Sequence, residues 1–150
     1  SADAIGLMQL LPETARRTAK SWGLPAPPNS SLVIPSVNVP LGSAYLRSML
    51  DRWNGQAPFA IASYNAGPGA VKRWLPTAPM ETDVWVENIP YNETRTYVQR
   101  VSWHRVVFGW IDERKPRDFS AWIGTVQPPA ASTPPPTDET GATGEEAPAS

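Results

Sequence analysis

Cysteine is absent from the 150 residues, and histidine occurs once, at His104. Disulfides, thiolate nucleophiles and cysteine-ligated metals are thereby excluded. The compartment is not, since many secreted bacterial proteins also lack cysteine. One histidine leaves no zinc or haem site, so neither a metal nor a cofactor is expected. A Ser-His-Asp triad would have to use His104. No G-x-S-x-G elbow accompanies it, and it sits mid-helix between Trp103 and Arg105, as a surface or core-edge histidine does. Gly67-Pro68-Gly69 is glycine-rich, yet Lys72 is followed by Arg73 and not by Ser or Thr, so a P-loop is not supported. No apolar run approaches the ~18 residues of a membrane span. Dense basic charge is missing too. Residues 1–125 hold 13 basic and ten acidic residues, a net of +3, and the basic ones are scattered. A nucleic-acid face needs a denser stripe, so no nucleic-acid partner is expected. The chain opens on "SADAIGLMQL" without initiator Met or charged leader, which reads as a fragment or a processed product.

The residues present divide unevenly. Residues 126–150 contain six prolines, no aromatic, and four acidic residues against no Lys or Arg. Such a stretch buries too little apolar area to offset its chain entropy and reads as a disordered acidic tail. Residues 1–125 suit one domain with a hydrophobic core. Within it, Ala4 to Leu11 reads as a short strand or extended approach. Pro12 fits the first turn of a helix, with Glu13 near its positive end, and Gly23 and Pro25 stop it after Trp22. "LPAPPNSSLVIPSVN" reads as a loop because four prolines in fifteen residues leave no room for a regular element. Asn38 is placed as an N-cap, and Leu41, Tyr45, Leu46, Met49, Leu50 and Trp53 follow at helical spacing until Asn54-Gly55. A short buried helix spans Pro58 to Asn65 and a further turn or two Ala70 to Leu75. "ETDVWVENIP" leans helical. Asn92 is placed as the cap of a last helix, Glu93 to about Ile111, whose valines would also suit a strand.

Carboxylates, amides and aromatics remain as carriers of chemistry. Four apolar stretches each hold a polar group that packing does not ask for. They are Gln9 in "GLMQLL", Tyr64-Asn65 in "SYNAGPG", Glu87-Asn88 in "WVENIP" and Glu93 in "YNETR". Set among seven tryptophans, they suit a sugar cleft, with rings on the C–H faces and amides on hydroxyl and N-acetyl groups. Packing offers a plainer account: Trp and Tyr mostly serve cores, and Gln9 can satisfy a backbone group.

At these stretches the sequence resembles the lytic transglycosylase (SLT) domain of the lysozyme-like superfamily. The matching elements are "GLMQLLPETA" (6–15), "NVPLGSAYLRSML" (38–50), "ASYNAGPGAVKRW" (62–74) and "ENIPYNETRTYV" (87–98). They occur in the family's order and cover residues 1 to about 111. The resemblance implies a mainly α, lysozyme-like (goose-type lysozyme/SLT) helical domain with at most a very small β element. It also implies a cleft that binds peptidoglycan glycan strands, and so a periplasmic or envelope location. In that family the β-1,4 bond between N-acetylmuramic acid and N-acetylglucosamine is cleaved without water. The muramyl 6-hydroxyl attacks C1 and leaves a 1,6-anhydro ring. A single glutamic acid acts first as acid and then as base, unlike the two-carboxylate plan of most glycosidases. By motif position, Gln9 lines the catalytic subsite, and Tyr64 reaches toward the acid and the N-acetyl group. Asn65 shapes the same wall and Glu93 faces the cleft. Leu11 stands where family members often have methionine.

The resemblance also sets the catalytic glutamate ahead of "GLMQ", and no glutamate of this chain occupies that position. The expectation is a chain that holds the cleft without its general acid and is inactive alone, within an active parent. The alternatives are a lysozyme-type hydrolase on the same fold, a non-catalytic peptidoglycan-binding module, and a helical interaction domain with no sugar partner.

Overall fold

A computed structural model describes residues 3–114 and 124–128 of the chain. The described elements are six helices and one two-stranded sheet: α1 (Pro12–Ser21), α2 (Pro35–Arg52), α3 (Ala57–Ala66), α4 (Pro68–Trp74), β1 (Met80–Glu81), α5 (Thr82–Glu87), α6 (Asn92–Glu113) and β2 (Thr125–Val126). The mainly helical reading with a minimal β element is what the fold shows.

Helix α3 is the axis. Every residue from Pro58 to Ser63 is buried, so it is apolar around its whole circumference, as a helix must be when neighbours cover all its faces. Phe59 is fully buried, with Trp53 and Trp85 edge-on to it at centroid distances of 5.9 and 4.7 Å. Ile89, Val98 and Val126 complete this core. The Trp53 indole N–H donates to Ser63 Oγ at 2.7 Å, so the one polar side chain in the middle of α3 is satisfied. A second apolar cluster, Leu10, Ala15, Ala19, Leu32 and Leu41, joins α1 to the first half of α2. Tyr45 packs on both clusters.

Several expectations are corrected. Ala4 to Leu11 is not extended. It is a compact turn in which Ile5 and Leu10 exchange backbone hydrogen bonds of 2.9 and 3.0 Å. The proline-rich loop contains a 3-10 turn at Asn29–Val33, and α2 starts at Pro35. Pro35 takes the first turn, where the missing N–H costs nothing, and the Asn38 amide already bonds Ile34 O at 2.9 Å. Asn38 is therefore inside the helix and caps nothing. Asn92 is likewise the first helical residue of α6, after Tyr91, with no side-chain cap. The tail boundary also moves: Val126 pairs with Met80, is 2% exposed and belongs to the core. Of the residues read as a disordered tail, 129–150 lie outside the described residues.

Candidate functional site

A cleft of about 1000 Å³ runs between the 4–11 turn, α1, the middle of α2, the end of α3 and the start of α6. Gln9, Tyr64, Asn65 and Glu93 all line it, although 84 positions separate the first from the last. Glu87 and Asn88 do not; Glu87 accepts from Gln99 Nε2 at 2.8 Å, and both residues are exposed outside the cleft.

The turn presents Gln9 in an unusual backbone state. Its φ is +48°, in the left-handed region that costs a non-glycine residue about 1–2 kcal/mol. The surroundings hold it there: the Gln9 amide N–H donates to Gly6 O at 3.0 Å, and the side-chain Nε2 donates to the same oxygen at 2.9 Å. Gly6, at φ +75°, is required at its place. A Cβ would lie 2.3 Å from Leu32 O and 2.5 Å from Asn38 Nδ2.

The opposite wall comes from the end of α3. Tyr64 donates its hydroxyl to Met8 O at 2.8 Å, and its ring meets that of Tyr45 at 5.2 Å. Burial pushes the Tyr64 hydroxyl far above the usual phenol range, reinforced by Tyr97 and Tyr45, and burial also raises Tyr45 and Tyr97. The three phenols stay protonated donors. Asn65 Oδ1 accepts from Thr94 Oγ1 at 2.6 Å, while its Nδ2 donates to Glu93 Oε1 at 3.2 Å. With both ends engaged, the carboxamide has one orientation. Gly67, at φ +82°, then breaks α3, and Pro68 opens α4 in its first turn. This exit keeps Tyr64 and Asn65 at an open helix end.

Among the lining residues not singled out from sequence are Arg17, Tyr45, Thr94, Tyr97 and Val101. The signal was helical spacing. Tyr97 and Val101 follow Glu93 at successive steps of four on α6, and Arg17 follows Thr14 by three on α1, so each pair shares a face. Arg17 and Glu93 are the charged residues among those lining the cleft. A smaller groove of about 580 Å³ lies between α1, residues 22–27 and α2. Its walls are apolar, and its one charged residue, Arg47, is committed to Asp51 at 2.9 Å. His104 is exposed and does not line the cleft, with its ring 6.2 Å from Phe108. Among the described residues no group of three or more His, Asp or Glu could hold a metal, and no helix is long and apolar enough to cross a membrane. The arrangement offers neutral hydroxyls, three carboxamides (Gln9, Asn65 and Asn92), one carboxylate and one guanidinium along a partly apolar trough. Such groups can exchange several hydrogen bonds with a hydroxyl-bearing ligand.

Residues 1–83 match the family model described as the transglycosylase SLT domain. The chain is 36% identical over 121 residues to the soluble lytic murein transglycosylase of Escherichia coli K12, covering 79% of this chain and 19% of that protein. The enzyme of the same name from Salmonella typhimurium is 40% identical over 103 residues, covering 65% and 16%. Among solved structures, an inactive mutant of the lytic transglycosylase Slt from Pseudomonas aeruginosa superposes with a TM-score of 0.74 at 41% identity, over 81% of this chain and 20% of that one. The 70 kDa soluble lytic transglycosylase of Escherichia coli gives 0.70 at 31% identity, with the same coverage. The chain thus spans about a fifth of the length of the relatives it matches.

Proposed function

From the premise that the chain belongs to the transglycosylase SLT domain family, we propose that it forms the glycan-binding wall of a peptidoglycan lytic transglycosylase. The reaction cleaves the β-1,4 bond between N-acetylmuramic acid and N-acetylglucosamine and leaves 1,6-anhydro ends. The observation that carries this reading is the convergence of Gln9, Tyr64, Asn65 and Glu93 on one cleft of about 1000 Å³.

The residues take distinct parts. Tyr64, held neutral by burial and tied to Met8 O, sets the spacing between the turn and α3 and presents its ring to a sugar face. Gln9 offers its amide from the rim. Asn65 keeps a fixed orientation and lends shape to the wall. Glu93 is exposed and its Oε1 is occupied by Asn65, whereas a general acid needs a carboxyl shielded from water and free to reach the leaving oxygen. Glu93 is therefore assigned to substrate hydroxyls. The general acid and base is assigned to a glutamate outside these 150 residues, ahead of "GLMQ". The site of action is the cell envelope or periplasm, where such glycan strands are.

The test is product analysis on purified sacculi. The parent protein is expected to release muropeptides with anhydro ends, detected by mass spectrometry, and the 150-residue chain to bind glycan without releasing them. Products one water heavier, with reducing muramic acid ends, identify a hydrolase. Anhydro products from the 150-residue chain alone overturn the assignment of the acid.

A further inference from the structure

Asn38 has the placement of a functional residue without touching the cleft. It is fully buried in α2, and both ends of its carboxamide are spent on one distant segment. Oδ1 accepts from the Met8 amide at 2.7 Å, and Nδ2 donates to Ile5 O at 3.0 Å. These two bonds grip the turn on either side of Gly6 and Leu7. The carbonyl of the same Met8 receives the Tyr64 hydroxyl, so the Met8 peptide units are held from α2 on one side and from α3 on the other. Gly6 lies against the Asn38 carboxamide, and Gly42, one turn along α2, lies against the Met8 side chain, with no room for a Cβ at either place. Gln9 follows directly, in a backbone state it would not choose by itself.

Satisfying a buried amide does not require this geometry. One donor and one acceptor anywhere nearby would do, and a stabilising contact need not converge on the residue before a strained one. We propose that Asn38 is a positioning residue for the glycan site, acting through the Ile5–Leu10 turn to set Gln9 and the Met8 carbonyl used by Tyr64. The inference rests on the cleft being the glycan site, but its physical core, the control of Gln9 by Asn38, stands apart from any ligand. The residue replaces a hydrogen-bonding surface that the turn lacks. The turn's own bonds, the Ile5–Leu10 pair and the two from Gln9 to Gly6 O, are internal to it; the Asn38 bonds are those that tie it to α2.

The test uses the full 150-residue chain and the linear tetramer of N-acetylglucosamine, with binding read by titration calorimetry well below every variant's unfolding midpoint. Asn38→Ala is compared with Val71→Ala, a truncation in the α4 core outside the cleft lining. Both are expected to lower the midpoint, and Asn38→Ala alone to weaken binding, by about tenfold. In a Gln9→Ala background the effect of Asn38→Ala is expected to shrink, the remainder being the part carried through the Met8 carbonyl and Tyr64. Binding by Asn38→Ala equal to wild type, or a full additional loss in the Gln9→Ala background, overturns the proposal. If Asn38→Ala does not fold, Asn38→Asp keeps the shape and the acceptor for Met8 while losing the donor to Ile5, and it is judged by the same two outcomes. If the wild-type chain does not bind the tetramer, the glycan reading fails, and amide exchange decides the positioning claim. Faster exchange at Met8 and Leu10 with α3 unchanged supports it; uniform acceleration across the chain overturns it.

Discussion

The Tyr64 hydroxyl donates to the Met8 carbonyl across 56 positions of sequence, at 2.8 Å, and so ties the end of α3 to the turn that carries Gln9. This bond makes a cleft out of two otherwise separate segments. The end of α3 alone is an exposed helix terminus, and the turn alone is a small loop. Joined, they bound one cleft, and the Tyr45 ring packs against that of Tyr64 with centroids 5.2 Å apart.

Tyr64→Phe keeps the ring and removes the bond. It is expected to cost about 1 kcal/mol of stability, because the half-buried Met8 carbonyl loses its donor. It should also weaken binding of the N-acetylglucosamine tetramer several-fold. Denaturant unfolding and titration calorimetry on the same preparation check both. Unchanged affinity would show that the tyrosine is a packing residue only.

Gln9→Gly separates stability from binding. Glycine adopts φ +48° freely, so the strain at this position is relieved and the unfolding free energy is expected to rise by about 0.5–1 kcal/mol, offset in part by the lost side-chain bond to Gly6. Affinity for the tetramer is expected to fall, since the amide that faces the cleft is gone. A variant that is more stable and binds less well is the signature sought.

Gly42→Ala places a Cβ 2.4 Å from Met8 Cβ, where α2 and the turn pack closely. The turn must move away from the helix, at a cost of about 1–3 kcal/mol. Chemical-shift changes should be largest at Met8 and Gln9 and small in α4 and α5. A spread of changes over the whole chain would mean that the contact is not local.

Ser63→Ala strands the Trp53 indole N–H in the core, without its 2.7 Å acceptor. The expected loss is about 1–3 kcal/mol, with binding at the tetramer site unchanged in the folded protein. Thermal unfolding alone decides the first part.

The phenols give a pH dependence of known sign. Tyr45, Tyr64 and Tyr97 hold their protons more tightly in the folded chain than in the unfolded one, whose value is 10.0. Their contribution is therefore fully present below about pH 10 and is lost as the pH rises toward their folded values. Ultraviolet titration of tyrosinate should show late-titrating groups in the native protein that titrate at the ordinary position in denaturant. Tyr64→Phe is expected to remove the latest of them.

Local residue chemistry was enough for most of the helices. Pro12, the apolar run into Ala57–Ala66, and the break at Gly67-Pro68 act within a turn or two, and a reading confined to neighbours finds them. The same reading picked out Gln9, Tyr64, Asn65 and Glu93, but equally Glu87 and Asn88, which lie outside the cleft; only the family resemblance narrowed the set to those four. The local reading failed where a side chain answers to something remote. Asn38, with Pro40 behind it, looks like a helix start, and the segment from Ala4 to Leu11 looks extended. Asn38 is in fact the clamp that folds that segment into a turn, 30 and 33 residues away along the chain. Val126 was read with the polar tail because its neighbours are polar, yet pairing with Met80 makes it core. Sequence alone determined which polar side chains, Gln9, Tyr64, Asn65 and Glu93 among them, stand in apolar stretches. Tertiary structure decided that those four face one another, because hydrogen bonds such as Tyr64 to Met8 and Asn38 to Ile5 depend on distances in space that no local pattern encodes.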